Sequence, residues 1–214
     1  MSYLCPSMTE LQEEVLRNNH LVVLVESSSI GEFEEFVFTL MNVLLTIKFP
    51  GRTYREDPRV WPGVQSVVRS CDEDRIALVA ALMYLERALA YEICGVKTHL
   101  TLAPFIAAVS IACKMYGIKA LHIPDACLAT GLSVTPSMVE TCELRLLEAL
   151  KFRMAIKPAK FYHFLALAIK NSKFTPAELE ACVVTGQAFE KLNVVVGKTP
   201  NEPLLSLGYD PCLE

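Results

Sequence analysis

The sequence predicts an all-α protein, and three observations carry that expectation. Apolar residues recur at spacings of three and four in segment after segment, and nothing alternates long enough to build a sheet. Helix starts are marked by a capping residue followed by proline, at Thr135-Pro136 and again in the capping box Thr175-Pro176-Ala177-Glu178. The third observation is the stretch Thr101–Tyr116 (TLAPFIAAVSIACKMY), which holds no charge before Lys114 and is apolar around its whole circumference. A helix without a polar face must be enclosed by other elements. Its small residues, Ala103, Ala107, Ala108, Ser110 and Ala112, let those neighbours come close.

Taken in order, Met8 to about Val25 has a helical pattern with acids in its first turn, although the β-branched run Leu21–Val25 also suits a short strand. Ser27-Ser28-Ser29 breaks the pattern. Glu32–Lys48 resumes it with one wide apolar face of Phe33, Phe36, Val37, Leu40, Met41, Leu44 and Leu45. Prolines and glycines make Pro50–Gly63 a loop, and a short helix follows at Val64–Cys71. Asp72-Glu73-Asp74 places a cap and acids at the start of a helix that runs to Gly95. The central helix comes next, with Thr101 as its cap and Gly117 as its stop. His122–Asp125 is read as a turn and Ala126–Thr130 as a short helix. Thr135 opens a helix to about Phe152, Pro158 opens another through Ile169, and the last expected helix reaches about Asn193. The tail 197–214 is expected to be irregular. This amounts to one domain of about eight helices.

Composition excludes several classes. The chain has 214 residues, 52% of them hydrophobic and 21% charged, the mixture of a globular protein with a sizeable core. A formal charge of −4 and a pI near 5.7 oppose nucleic-acid binding by bulk electrostatics. Eight cysteines without a C-x-x-C pair read as reduced, buried thiols of an intracellular protein, cytoplasmic or nuclear. The uncharged runs Phe36–Ile47 and Leu100–Cys113 fall short of the ~17–25 residues of a membrane span, so no membrane is implied. Glu10, Glu13 and Glu14 stand where a secretory signal would need basic and then apolar residues.

The candidate chemistry is sparse. Cys94 with His99, and His122 with Cys127, lack the close ligand spacing of structural zinc sites, so no metal is expected. Cys142 and His163 could be drawn as a nucleophile and base, but no flanking motif supports them. No phosphate-binding loop, dinucleotide fingerprint or hydrolase signature is present. The expectation is a non-enzyme without cofactors. Arg52, Arg55 and Arg59 suit a solvated linker, with a basic docking patch as the second reading. Two charges stand out for lying within apolar surfaces: Lys114 closes the central helix, and Glu143 shares a stripe with Val139, Leu147 and Leu150. By periodicity alone, Lys114 reads as compensation of the helix terminus and Glu143 as a rim carboxylate.

Four landmarks then fall in order: Tyr84-Leu85-Glu86-Arg87-Ala88, Ala112-Cys113-Lys114-Met115, Gly131-Leu132-Ser133, and Glu143 followed nine residues later by Phe152. Their order and separation, over roughly 63–158, resemble the cyclin box. The chain is most similar to the single-box P/U-type cyclins, the group of the yeast phosphate-response cyclin. The resemblance implies a five-helix cyclin box at 63–158, preceded by helices and a loop at 1–62 and followed by helices and an irregular tail at 159–214. It implies a regulatory subunit that binds and activates a cyclin-dependent protein kinase by docking the kinase's regulatory helix. Lys114 and Glu143 would form the pair at the kinase-binding face, with Leu147, Phe152 and Met115 as apolar positions beside it. The chain departs from the family at Tyr116-Gly117, where an acidic pair is usual, and at Met115, where an aromatic residue is usual. It has no match to the substrate-docking motif of cell-cycle cyclins. The alternatives are a cyclin-fold adaptor that binds a non-kinase protein, or nucleic acid through Arg52–Arg59.

Overall fold

The computed structural model describes residues 20–48, 60–89, 102–130 and 134–172. Eight helices lie among them: α1 (20–27), α2 (Ile30–Lys48), α3 (Val60–Ser70), α4 (Arg75–Leu89), α5 (Leu102–Tyr116), α6 (Ile123–Ala129), α7 (Pro136–Ala149) and α8 (Pro158–Ser172). No strand occurs among the described residues, and the all-α expectation holds. The expected helix after Thr175, the Arg52–Arg59 loop, Thr101, Gly131-Leu132-Ser133 and the Cys94/His99 pair lie outside the described residues.

Helix α5 occupies the centre. Every side chain from Leu102 to Cys113 is buried except Pro104, which is half-buried in the first turn, where proline forfeits no hydrogen bond. Helices α4 and α7 take most of its surface, and α3 and α6 cover more of it. Gly63 is what lets α3 approach, because a Cβ there would stand 2.6 Å from a methyl of Leu102. The four helices α3, α4, α6 and α7 thus wrap one apolar cylinder, α5, while α2 lies across α3, α4 and α8.

The first two helices are joined to this bundle by buried charge. Arg75, at the start of α4, donates from Nη1 to the carbonyls of Val25 (2.9 Å) and Ser28 (2.6 Å), and its Nε reaches Asp72 at 2.9 Å. Its guanidinium lies 5.1 Å from the centre of the Phe33 ring. The unpaired carbonyls at the end of α1 are satisfied in this way. Glu34, buried on α2, accepts from Gln65 at 2.7 Å and from Arg69, both on α3. A buried carboxylate is tolerable only when paired in this manner.

Some local expectations are met and others corrected. Leu21–Val25 is helical, because its face toward the core buries Leu21, Leu24 and Val25 together. Helix α2 begins at Ile30, two residues early, on a capping box: Ser29 Oγ accepts from the Glu32 N–H (3.3 Å), and the Glu32 carboxylate accepts from the Ser29 N–H (2.8 Å). Helix α3 starts at Val60 within the expected loop, with Pro62 in its first turn. Asp72–Asp74 is a 3-10 turn preceding α4, and α6 starts at Ile123 with Pro124 in its first turn. Thr135 caps α7 as expected, accepting from the Met138 N–H at 3.3 Å.

Two buried polar groups yield predictions. Ser110 is fully buried on α5 and its hydroxyl has no hydrogen-bond partner among the described residues. Replacing it by alanine removes an unsatisfied group and favours the helix. Ser110→Ala is expected to raise unfolding free energy by about 1 kcal/mol, measured by urea denaturation. Glu86 on α4 is also buried, and burial raises its carboxyl pKa from 4.5 to about 7. The folded state then keeps a proton that the unfolded chain has released. Its stability contribution is therefore complete below pH 4.5 and lost as pH rises through 7. Glu86→Gln is expected to flatten that decline and, at pH 8, to exceed the wild type by up to about 3 kcal/mol in the same melts.

Candidate functional site

The exposed end of the central helix is where charge first meets the core. Helix α5 emerges into solvent at Lys114, whose ammonium compensates the carbonyls of the last turn. Its Nζ donates to Glu143 Oε1 of α7 at 2.8 Å. The lysine side chain is 51% exposed and the glutamate 14%, so the pair spans the edge of the core. An ion pair this open contributes only ~0–1 kcal/mol to folding. Its geometry brings two helices' functional groups to one place without being needed to hold them there.

Two of the expected apolar positions are open to solvent. Met115 is 49% exposed and Phe152 65%. Leu147 is half-buried and packs against the core from α7, so it forms the floor of this surface rather than a projection. On α7, Val139, Leu146 and Leu150 are buried, and Met138, Cys142 and Leu147 are partly so. Glu143 lies between them.

Phe152 is presented by an unusual turn. Helix α7 ends at Ala149, not at Phe152 as the periodicity predicts, and Lys151 and Phe152 both take left-handed backbone angles (φ 51° and 57°). The Phe152 N–H bonds to the Leu147 carbonyl at 2.8 Å and the Lys151 N–H to that of Glu148 at 2.9 Å. This is the paired termination in which glycine usually occupies the place of Lys151. A left-handed lysine followed by a left-handed phenylalanine is strained, and such strain collects at functional surfaces.

Sequence reasoning missed Ile118, which is 86% exposed just after Gly117. An isolated apolar residue after a helix-stopping glycine was its only signal. Asp74 holds it there, accepting from the Ile118 N–H at 2.7 Å and the Lys119 N–H at 3.3 Å. Gly117 is required by this turn, since a Cβ would lie 2.8 Å from the Cys113 carbonyl oxygen and 3.2 Å from the Asp74 carboxylate.

The competing chemistry finds little support. His122 turns its Nδ1 to Asp125 at 2.9 Å while Cys127 is buried, and the described residues hold no group of three or more metal-binding side chains. Burial pushes the Cys142 thiol up, with Arg145 opposing it less, whereas an activated nucleophile needs the reverse. Among the described residues no helix is long and apolar enough to cross a membrane.

The helices packed around α5 are consistent with an all-α cyclin fold. Residues 64–155 match the family model for the cyclin, N-terminal domain, and this match supports membership of the cyclin family. Among curated proteins and among solved structures, none matches the chain.

The strained turn makes a direct prediction. Lys151→Gly is expected to raise stability by about 0.5–1 kcal/mol, because glycine adopts φ 51° without steric cost. The shift in the urea midpoint measures it.

Proposed function

We propose that this chain is a cyclin-like regulatory subunit that binds and activates a cyclin-dependent protein kinase, itself performing no catalysis. The observation that carries the reading is the Lys114–Glu143 pair at 2.8 Å, which joins two helices at the exposed end of the core. Charged groups able to bond a partner's backbone, together with the exposed Met115, Ile118 and Phe152, suit an incoming amphipathic helix. In this reading Lys114 and Glu143 give register, and Phe152, Met115 and Ile118 supply anchors over the Leu147 floor. The partner element is the kinase's regulatory helix. Docking favours the kinase conformation in which its catalytic lysine and regulatory-helix glutamate are paired. The driving energy is differential affinity for that conformation, so no chemistry on this chain is needed. The order of motifs, with Tyr84-Leu85-Glu86-Arg87 preceding Lys114, supports the single-box P/U-type group within the family.

The test is co-purification from the native organism with tagged wild type and a Lys114→Ala/Glu143→Ala variant. The wild type is expected to recover an active protein kinase, and the variant to lose about tenfold or more of it. Folding stability should change by no more than ~1 kcal/mol, so the loss would report docking. Equal recovery by both chains would dismiss the pair as a docking element. Other partners without any kinase activity would overturn the kinase reading in favour of an adaptor.

A further inference from the structure

We infer that Tyr116 is a positioning residue of the docking face, holding from the end of α5 the backbone just beyond Phe152 and so fixing that ring's pose relative to Lys114 and Met115. The Tyr116 hydroxyl donates to the Met154 carbonyl at 3.0 Å and accepts the Ile156 N–H at 2.9 Å. One phenol thus uses both its donor and its acceptor on a single short segment. Tyr84 also donates to the Met154 carbonyl, at 2.6 Å, and Arg87 Nη2 donates to the Arg153 carbonyl at 3.1 Å. Burial first, and then Tyr116 beside it, push the Tyr84 phenol up, so the Tyr84 hydroxyl stays protonated and able to donate.

The need for such a tether lies in the turn before it. Two consecutive left-handed residues relax to other conformations unless their surroundings over-determine them. Tyr84 and Arg87 reach the segment from α4, beneath the face. Tyr116 reaches it from the same helical turn that carries Lys114 and Met115. It therefore ties the two edges of the surface into one pre-organised unit, which lowers the ordering cost of binding. A carboxylate in place of Tyr116 could accept the Ile156 N–H but could not donate to Met154.

The inference rests on the docking reading for its purpose, and two measurements separate them. In the free chain, Tyr116→Phe is expected to speed amide hydrogen exchange at both Phe152 and Ile156 by roughly five- to tenfold, with the α4 amides unchanged. Faster exchange at Ile156 alone would overturn the inference, because the turn would then hold without the tether. The second measurement is affinity for the kinase recovered with the wild-type chain. Tyr116→Phe should weaken it about fivefold, and this effect should vanish in a Phe152→Ala background. Additive losses would show that Tyr116 acts independently of Phe152 and would sink the proposal. If the wild type recovers no kinase, the docking reading fails, and exchange at Phe152 alone then decides whether Tyr116 holds the turn.

Discussion

A helix with no polar face persists in water only if other helices take every side of it, and that constraint on α5 organises this molecule. From Leu102 to Cys113 nearly every side chain is withdrawn from solvent, in a helix whose alanines let α4 and α7 come near. Burial of this kind is non-directional, so it does not specify where the neighbours sit. Register comes from polar contacts at the ends: Thr135 capping α7, Arg75 closing the end of α1, and Asp74 reaching across to the turn after α5.

These contacts also explain why the exposed edge can be precise. Emerging from a closely packed core, Lys114 has a fixed base even though its own ion pair contributes little energy. The loops beside it are held by hydrogen bonds: Asp74 on the backbone of Ile118 and Lys119, and Tyr84, Arg87 and Tyr116 on residues 153–156. An apolar side chain such as Ile118 or Phe152, held out in water on a restrained backbone, retains its hydrophobic energy for a partner.

The same surface carries the molecule's conformational debts. Lys151 and Phe152 accept left-handed angles, and Gly117 is the residue whose lack of a side chain lets Asp74 approach. The cost of each is small against a core this continuous. Glu86, kept buried at a raised pKa, is of another kind, since its cost falls on stability at neutral and alkaline pH.

Much of this was legible in the chain itself. Helical periodicity, the apolar stretch before Lys114, and Thr135-Pro136 determined the all-α class, the central helix and the start of α7, because these signals act over a few residues. The order of motifs pointed to Lys114, Met115, Glu143, Leu147 and Phe152, yet as separate positions. Only the tertiary structure decided that Lys114 meets Glu143 at 2.8 Å, that Leu147 lies half-buried, and that Ile118 stands out into solvent. It alone ended α7 before Phe152 and gave Asp74 a task distant in sequence from its own helix. The physical reason is range. Periodicity and capping are local properties of a segment, whereas a carboxylate's choice of partner, and a turn held against its own backbone preference, depend on elements that only folding brings together.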